Sequence, residues 1–410
     1  MRRLAFVVSL LAAIGLALPA VAATTITGEK KGAFFTITVP DVWNGDLVID
    51  NHGFDFDAPA PNPGFSIGGA LLAQGYAVAA SSYSQCCWAL FQSQQDIQRM
   101  VDVFIAEFGE PDRVFVTGFS LGGIITAQIV EKLGSTLNIV GAYPLCGALS
   151  GSRSWDGALD LRLTYDVICG GVAPIPGGAT GIPAPGHPDS PIGQLDVLVA
   201  TSVCMGTPFG FLAAPGAADR LADFTAATQL PVSFVATDMV FGTLGVSNVV
   251  FEDGKLDGEN GLSNIGVTYS DPTIDAAIER VTPVNKARKR LQRYYTPKGD
   301  VGDTKIVSVH TDGDGLVIVE NEKEYQDVVP ASNLTVAIVD EAGNTHCGFT
   351  DAEIFAGWQS LVGWVDGGPQ PTPTSIQNTC QYLQLLGISG PCRYDPGYVI
   401  PDMDGRIAPR

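Results

Sequence analysis

The chain has 410 residues, 46% of them apolar and only 16% charged, which supplies a packed core and rules out a globally disordered chain. Against 23 Lys and Arg stand 43 Asp and Glu, and the net charge of -20 repels phosphate backbones and anionic lipid surfaces, so no nucleic-acid partner is expected. Residues 1–22 carry the three parts of a secretory signal: Arg2 and Arg3, an apolar run over 4–18, and Ala20-Val21-Ala22 as a small-residue cleavage site. The mature chain then starts at Ala23 and is secreted or periplasmic. No later segment reaches the roughly 18 uninterrupted apolar residues of a membrane helix, so no stable membrane insertion is expected.

In chain order, strands are predicted at 33–39, 46–50, 76–80 and 113–117. Between the last two, 93–108 spaces Ile97, Met100, Val101, Phe104, Ile105 and Phe108 as one helical stripe ending at Gly109. A helix over 121–133 ends at Gly134, and a strand follows at 138–143. The stretch 149–302 breaks the alternation, being rich in Gly, Pro and Ala, and reads as an insertion. Lying between two sheet strands, it should cover their carboxyl ends as a lid, where open α/β sheets bind ligands. Strands at 305–310 and 334–340 flank a helix at 320–329, a helix spans 351–365, and 367–410 is a Pro-rich tail. The pattern is α/β, a mostly parallel central sheet with helices on both faces. Its parts are a signal at 1–22, a core of 23–148 and 303–366, a lid at 149–302 and the tail.

Eight cysteines (Cys86, Cys87, Cys146, Cys169, Cys204, Cys347, Cys380 and Cys392) in an oxidising compartment imply disulfides. Sequence proximity favours Cys380 with Cys392 and Cys169 with Cys204. The chain has no C-x-x-C pair and only four histidines, none at metal-ligand spacing from another, so no metal is expected.

Gly118-Phe119-Ser120-Leu121-Gly122 matches G-x-S-x-G, a tight strand-to-helix turn that lifts a serine above a sheet. With 48 glycines the pattern is cheap, and Gly64-Phe65-Ser66-Ile67-Gly68 fits it as well. Only Ser120 follows a buried strand and opens a helix; Ser66 follows Ala58-Pro59-Ala60-Pro61-Asn62-Pro63 and reads as a helix cap. A serine hydroxyl needs a base, and histidine suits that near neutrality. His187 lies in a Pro-rich part of the insertion, while His52 and His310 end strands and read as structural. His346, in the polar loop after the last strand, is the best candidate. An acid must orient the base. Asp314 in the turn after 305–310 is preferred, with Asp312 the runner-up; Asp312-Gly313-Asp314-Gly315 as a calcium turn lacks later ligands.

The order Ser120, Asp314, His346, each after its expected strand, resembles the α/β-hydrolase family over about 36–363. The resemblance implies an oxyanion hole from the Leu121 N–H and a second donor in Asn51-His52-Gly53-Phe54, namely Phe54 rather than Gly53. Some secreted tannase-like and feruloyl-esterase-like members place a cysteine before the serine and another after the histidine. Here Cys347 follows His346, but Phe119 precedes Ser120, so Cys347 needs a different partner: Cys146 or the Cys86-Cys87 pair. Ile318 also stands where relatives often have proline. The implied activity is cleavage of a small-molecule or polymeric carboxylic ester through an acyl-enzyme, with no cofactor. An exopeptidase, a polyester or polymer-fragment hydrolase and a non-catalytic binding module are the alternatives.

Overall fold

The computed structural model describes residues 22–178, 192–341 and 343–410. The signal segment up to residue 21 and His187 lie outside the described residues. Eight strands form one sheet: β1 (Ala23–Lys30), β2 (Ala33–Pro40), β3 (Asp46–Asn51), β4 (Ala77–Ser81), β5 (Arg113–Phe119), β6 (Ile139–Leu145), β7 (Lys305–Thr311) and β8 (Leu334–Val339). Their order is β1-β2-β4-β3-β5-β6-β7-β8. The β1-β2 and β2-β4 pairs are antiparallel and every other pair is parallel. The arrangement is the α/β-hydrolase fold.

Alternate residues of the inner strands feed two cores. Leu47, Ile49, Val114 and Val116 join the helices Ser93–Phe108 and Leu121–Leu133 on one face. Val48, Phe115, Val307 and Val309 pack with the helices Asp351–Val365 and Pro373–Leu385 on the other. Both faces being covered explains why these strands read as continuous apolar runs rather than alternating ones.

Three findings differ from the sequence reading. Strand β1 was not expected, because this edge strand is mostly exposed and carries no buried period-2 face. Ser66 is not the helix cap: the helix is Gly68–Ala73 and Ile67 occupies its N-cap position. The Pro-rich tail contains the helix Pro373–Leu385, started by a Thr372 cap with Pro373 in its first turn. The stretch 149–302 packs into the core at Trp155, Leu159, Leu262 and Leu291, which join the first core, while Tyr165, Phe224, Val235 and Met239 build a third.

Polar links reinforce this packing. Within the stretch Arg288 donates to both oxygens of buried Asp156 at 2.9 and 2.8 Å, and Lys255 ties it to the core through the Cys86 carbonyl at 3.0 Å. Among the described residues one helical run, Val232–Phe251, is long and apolar enough to cross a membrane, yet 78% of its most apolar stretch is buried inside the fold. Four cysteine pairs are bonded: Cys86–Cys87, Cys146–Cys347, Cys169–Cys204 and Cys380–Cys392.

At the end of β3, buried Asp50 accepts the N–H of Ser66 at 2.7 Å and of Ile67 at 3.3 Å, pinning the loop that returns to Gly68–Ala73. Burial pushes its carboxyl up from 3.8 to about 6, against those two bonds. The folded state therefore holds this proton more tightly than the unfolded one, so stability falls as pH rises from about 4 to 6 and stays lower above that. Between pH 4 and 7, the unfolding free energy of the wild type should drop by about 2 kcal/mol relative to Asp50→Asn, which keeps an accepting oxygen. Urea titrations of both proteins across that range check it, and parallel curves would refute it.

Candidate active site

Strand β5 runs into the helix Leu121–Leu133 with a single residue, Ser120, between them. That residue sits at φ 57° and ψ -118°, a conformation that non-glycine residues rarely adopt. The cause is close approach of helix and sheet. A Cβ on Gly118 would lie 2.5 Å from the Asn51 carbonyl oxygen, and one on Gly122 only 2.0 Å from the same atom. Both motif glycines are thus required by the backbone of β3. The Ser120 N–H donates to the Leu145 carbonyl at 2.9 Å, which ties the turn to the end of β6.

The structure brings Ser120, His346 and Asp314 together. Asp314 Oδ2 lies 2.7 Å from His346 Nδ1, and His346 Nε2 lies 2.8 Å from Ser120 Oγ. With Nδ1–H donating to the carboxylate, Nε2 is left as the acceptor for the serine hydroxyl. The Asp314 carboxylate is fully buried, and its Oδ1 accepts the N–H of Leu316 and Val317, each at 3.0 Å. Asp312 goes elsewhere: its Oδ1 accepts the Glu341 N–H at 2.8 Å and links the ends of β7 and β8. The Cys146–Cys347 bond joins the residue after β6 to the residue after His346.

His310 is buried behind this group, its Nε2 donating to the Val317 carbonyl at 2.7 Å and its Nδ1 facing Glu322 at 3.3 Å. Burial opposes its charge, but Glu322 and Asp314 outweigh burial and raise its pKa. It supports the Asp314 loop from below. His52 stacks on Tyr83 with ring centroids 4.3 Å apart, and burial lowers its pKa.

The N–H of Leu121 is the first of its helix, so it has no acceptor within that helix and points with the positive end of the dipole. A Cβ on Gly53 would be 3.6 Å from Ser120 Cβ, so the loop carrying Phe54 passes beside the serine. Phe54 and Ser120 line one cavity of about 250 Å³. Its walls include Trp88, Trp155 and Phe241, with Phe54 edge-on to Phe241 at 4.9 Å and to Trp88 at 5.2 Å.

The insertion contributes Trp155 and Asp238 to these walls, and the segment 403–408 closes another side. Neither the tail segment nor these insertion residues carried a sequence signal; they converge only through tertiary packing. Among the described residues, the groupings able to hold a metal are Cys86, Cys87 and Glu252, and Asp314, His346 and Cys347. The sulfurs in both are already in disulfides, which leaves no thiolate to ligate.

No protein-family profile matches the chain, and no curated protein does. Among solved structures it is similar to feruloyl esterase B from Aspergillus oryzae at 13% identity and a TM-score of 0.46, over 85% of this chain and 81% of that one. A rice cell wall degrading esterase, LipA, from Xanthomonas oryzae is 14% identical with a TM-score of 0.36, over 83% and 87% of the two chains. Acylaminoacyl peptidase from Pyrococcus horikoshii is 11% identical with a TM-score of 0.42, over 93% of this chain and 44% of that one. None of these likenesses assigns an activity to this chain.

Because the Asn51 carbonyl leaves no room at position 122, Gly122→Ala should lower the unfolding free energy by about 2–3 kcal/mol or more. Gly69→Ala, at a helical position with open space around it, should be neutral or stabilising by up to about 1 kcal/mol. Denaturant titration of the two variants checks both, and equal effects would contradict this account of the turn.

Proposed function

We propose that the protein is a secreted or periplasmic serine hydrolase that cleaves carboxylic esters through an acyl-enzyme. The observation that carries this reading is the continuous chain from Asp314 Oδ2 to His346 Nδ1 at 2.7 Å and from Nε2 to Ser120 Oγ at 2.8 Å. Ser120 attacks the ester carbonyl while His346 takes its proton, Asp314 stabilises the imidazolium, and His346 then protonates the leaving alcohol. Water, activated by the same histidine, releases the acid and restores Ser120. The N–H groups of Leu121 and Phe54 receive the oxyanion, a contribution of roughly 3–4 kcal/mol per donor in comparable sites. A strained serine helps here, since the turn holds Oγ outward with no rearrangement on the way to the transition state.

An ester substrate, small or part of a polymer, suits the aromatic cavity beside Ser120, which offers flat apolar surface to an acyl or alcohol group. Export is supported by the bonding of all eight cysteines.

Ser120→Ala and His346→Ala should each reduce kcat/KM on p-nitrophenyl esters by about 10⁴-fold or more, and the double variant should lose little beyond either single one. Asp314→Asn should cost on the order of 10³–10⁴-fold, whereas Asp312→Asn should cost less than about tenfold. A fluorophosphonate probe should label Ser120 in the wild type only. Full activity in Ser120→Ala would refute the assignment, and faster turnover of amino-acyl p-nitroanilides than of p-nitrophenyl esters would move the substrate class to peptides.

A further inference from the structure

The tail reaches the cavity beside Ser120, yet no step of the reaction above uses it. Residues 403–408 line the same space as Ser120. Two of them are taken up by ion pairs, Asp404 with Arg153 at 2.8 Å and Arg406 with Glu320 at 3.5 Å. That leaves Met403, Gly405, Ile407 and Ala408 as an apolar stretch of wall.

The helix Ser152–Cys169 of the insertion holds this stretch along one face. Arg153, Gly157 and Asp160 follow one another at spacings of four and three residues, so they form a single row on the helix. Arg153 donates to the Asp404 carboxylate and to the Ile407 carbonyl, and Asp160 pairs with Arg410. Between these two anchors Gly157 leaves a notch for the Ile407 side chain: a Cβ at 157 would lie 2.4 Å from Ile407 Cδ1. From the other side Lys323 lies 3.8 Å from Asp402, and Met403 is buried. The tail is thus fastened before, within and after the stretch that lines the cavity. A wall can discriminate by size only if it is held in this way, because a loose one yields to a larger ligand.

We propose that the tail segment 403–408, with Ile407 seated on Gly157, is a specificity determinant that sets the length of the ester substituent the cavity accepts. The cavity, about 250 Å³, is smaller than the roughly 300–1,000 Å³ of pockets that enclose drug-sized ligands. A short chain fits against the tail and a long one meets it. The substrate class is therefore an ester whose cavity-bound group is short-chain. This rests on the serine-hydrolase reading for its reaction but not for the size limit.

The test reads a ratio of two kcat/KM values on one preparation, so the fraction of folded protein cancels: p-nitrophenyl octanoate over butyrate for the acyl side, and octyl over butyl butyrate for the alcohol side. In the wild type the shorter member of at least one pair should be favoured by about tenfold or more, since a single methylene in an apolar pocket is worth about 10–200-fold. Ile407→Ala, which cuts the wall back, should raise the long-to-short ratio of that pair by about fivefold or more. Ala408→Leu, which thickens the wall, should lower it by a similar factor. Arg153→Ala, which frees Asp404 and the Ile407 carbonyl, should move it the same way as Ile407→Ala. Leu385→Ala, at an exposed position of the tail helix away from the cavity, should leave it unchanged. A wild type without preference for the shorter chain overturns the proposal. So does a ratio that stays put in Ile407→Ala or Ala408→Leu, or that moves the same way in both; either variant decides alone if the other does not fold. Binding separates this from failure of the reaction itself. The Kd ratio of N-methyl octanamide to N-methyl butanamide, titrated by tryptophan fluorescence, should shift in favour of the longer amide in Ile407→Ala even if no ester is turned over. That shift without hydrolysis counts against Ser120 alone, and its absence counts against the tail.

Discussion

The contact on which the site depends is between a backbone and a backbone. The Asn51 carbonyl of β3 lies so close to Gly118 and Gly122 that a methyl group at either position would overlap it. Helix Leu121–Leu133 therefore starts against the sheet with no spacer, and the one residue left to reverse the chain, Ser120, takes a left-handed φ. Strain at that serine follows from the packing of its neighbours rather than from its own preferences. The same contact brings the loop after β3 beside the serine, so the nucleophile and the neighbouring N–H groups are positioned by one constraint.

Around that turn the chain uses polar links more than charge pairing in bulk. A net charge of -20 makes the surface repel itself, yet several arginines sit where segments are joined. Arg288 grips Asp156, Arg153 reaches both Glu324 and Asp404, and Arg410 reaches Asp160. The Arg153 and Arg410 pairs bind the insertion, the helix after β7 and the tail to one another, and the Arg288 pair ties two helices of the insertion together. Removing a single partner from a buried pair such as Asp156–Arg288 leaves an uncompensated charge, which is why such links fix geometry more surely than they add stability.

Much of the core was legible in the sequence because its signals are local. The stripe from Ile97 to Phe108 and the terminating Gly109 define their helix from 93 to 108 without reference to anything else. The strand-serine-helix context separated Ser120 from Ser66, and prolines before Ser66 did the excluding. What stayed hidden depends on contacts between distant segments. Edge strand β1 has no buried face to reveal it, and Asp238 is one unremarked acid in an apolar run. Met403 and its neighbours become part of the cavity only because the tail folds back. Disulfide partners were legible where they lie close in sequence, at Cys380 and Cys392, and stayed open for Cys347, whose partner is 201 residues away.

That long-range bond has a topological meaning. Cys146 and Cys347 close a covalent ring that contains the whole insertion, β7 and β8, while Ser120 is held to the ring's base through the Leu145 carbonyl. Rearrangement within the loop-rich arc of the ring need not change the separation of its two clamped ends. The hydroxyl and the imidazole are thus kept in register by a covalent clamp at the ring's base, in the way a frame keeps its lock aligned whatever door is hung in it.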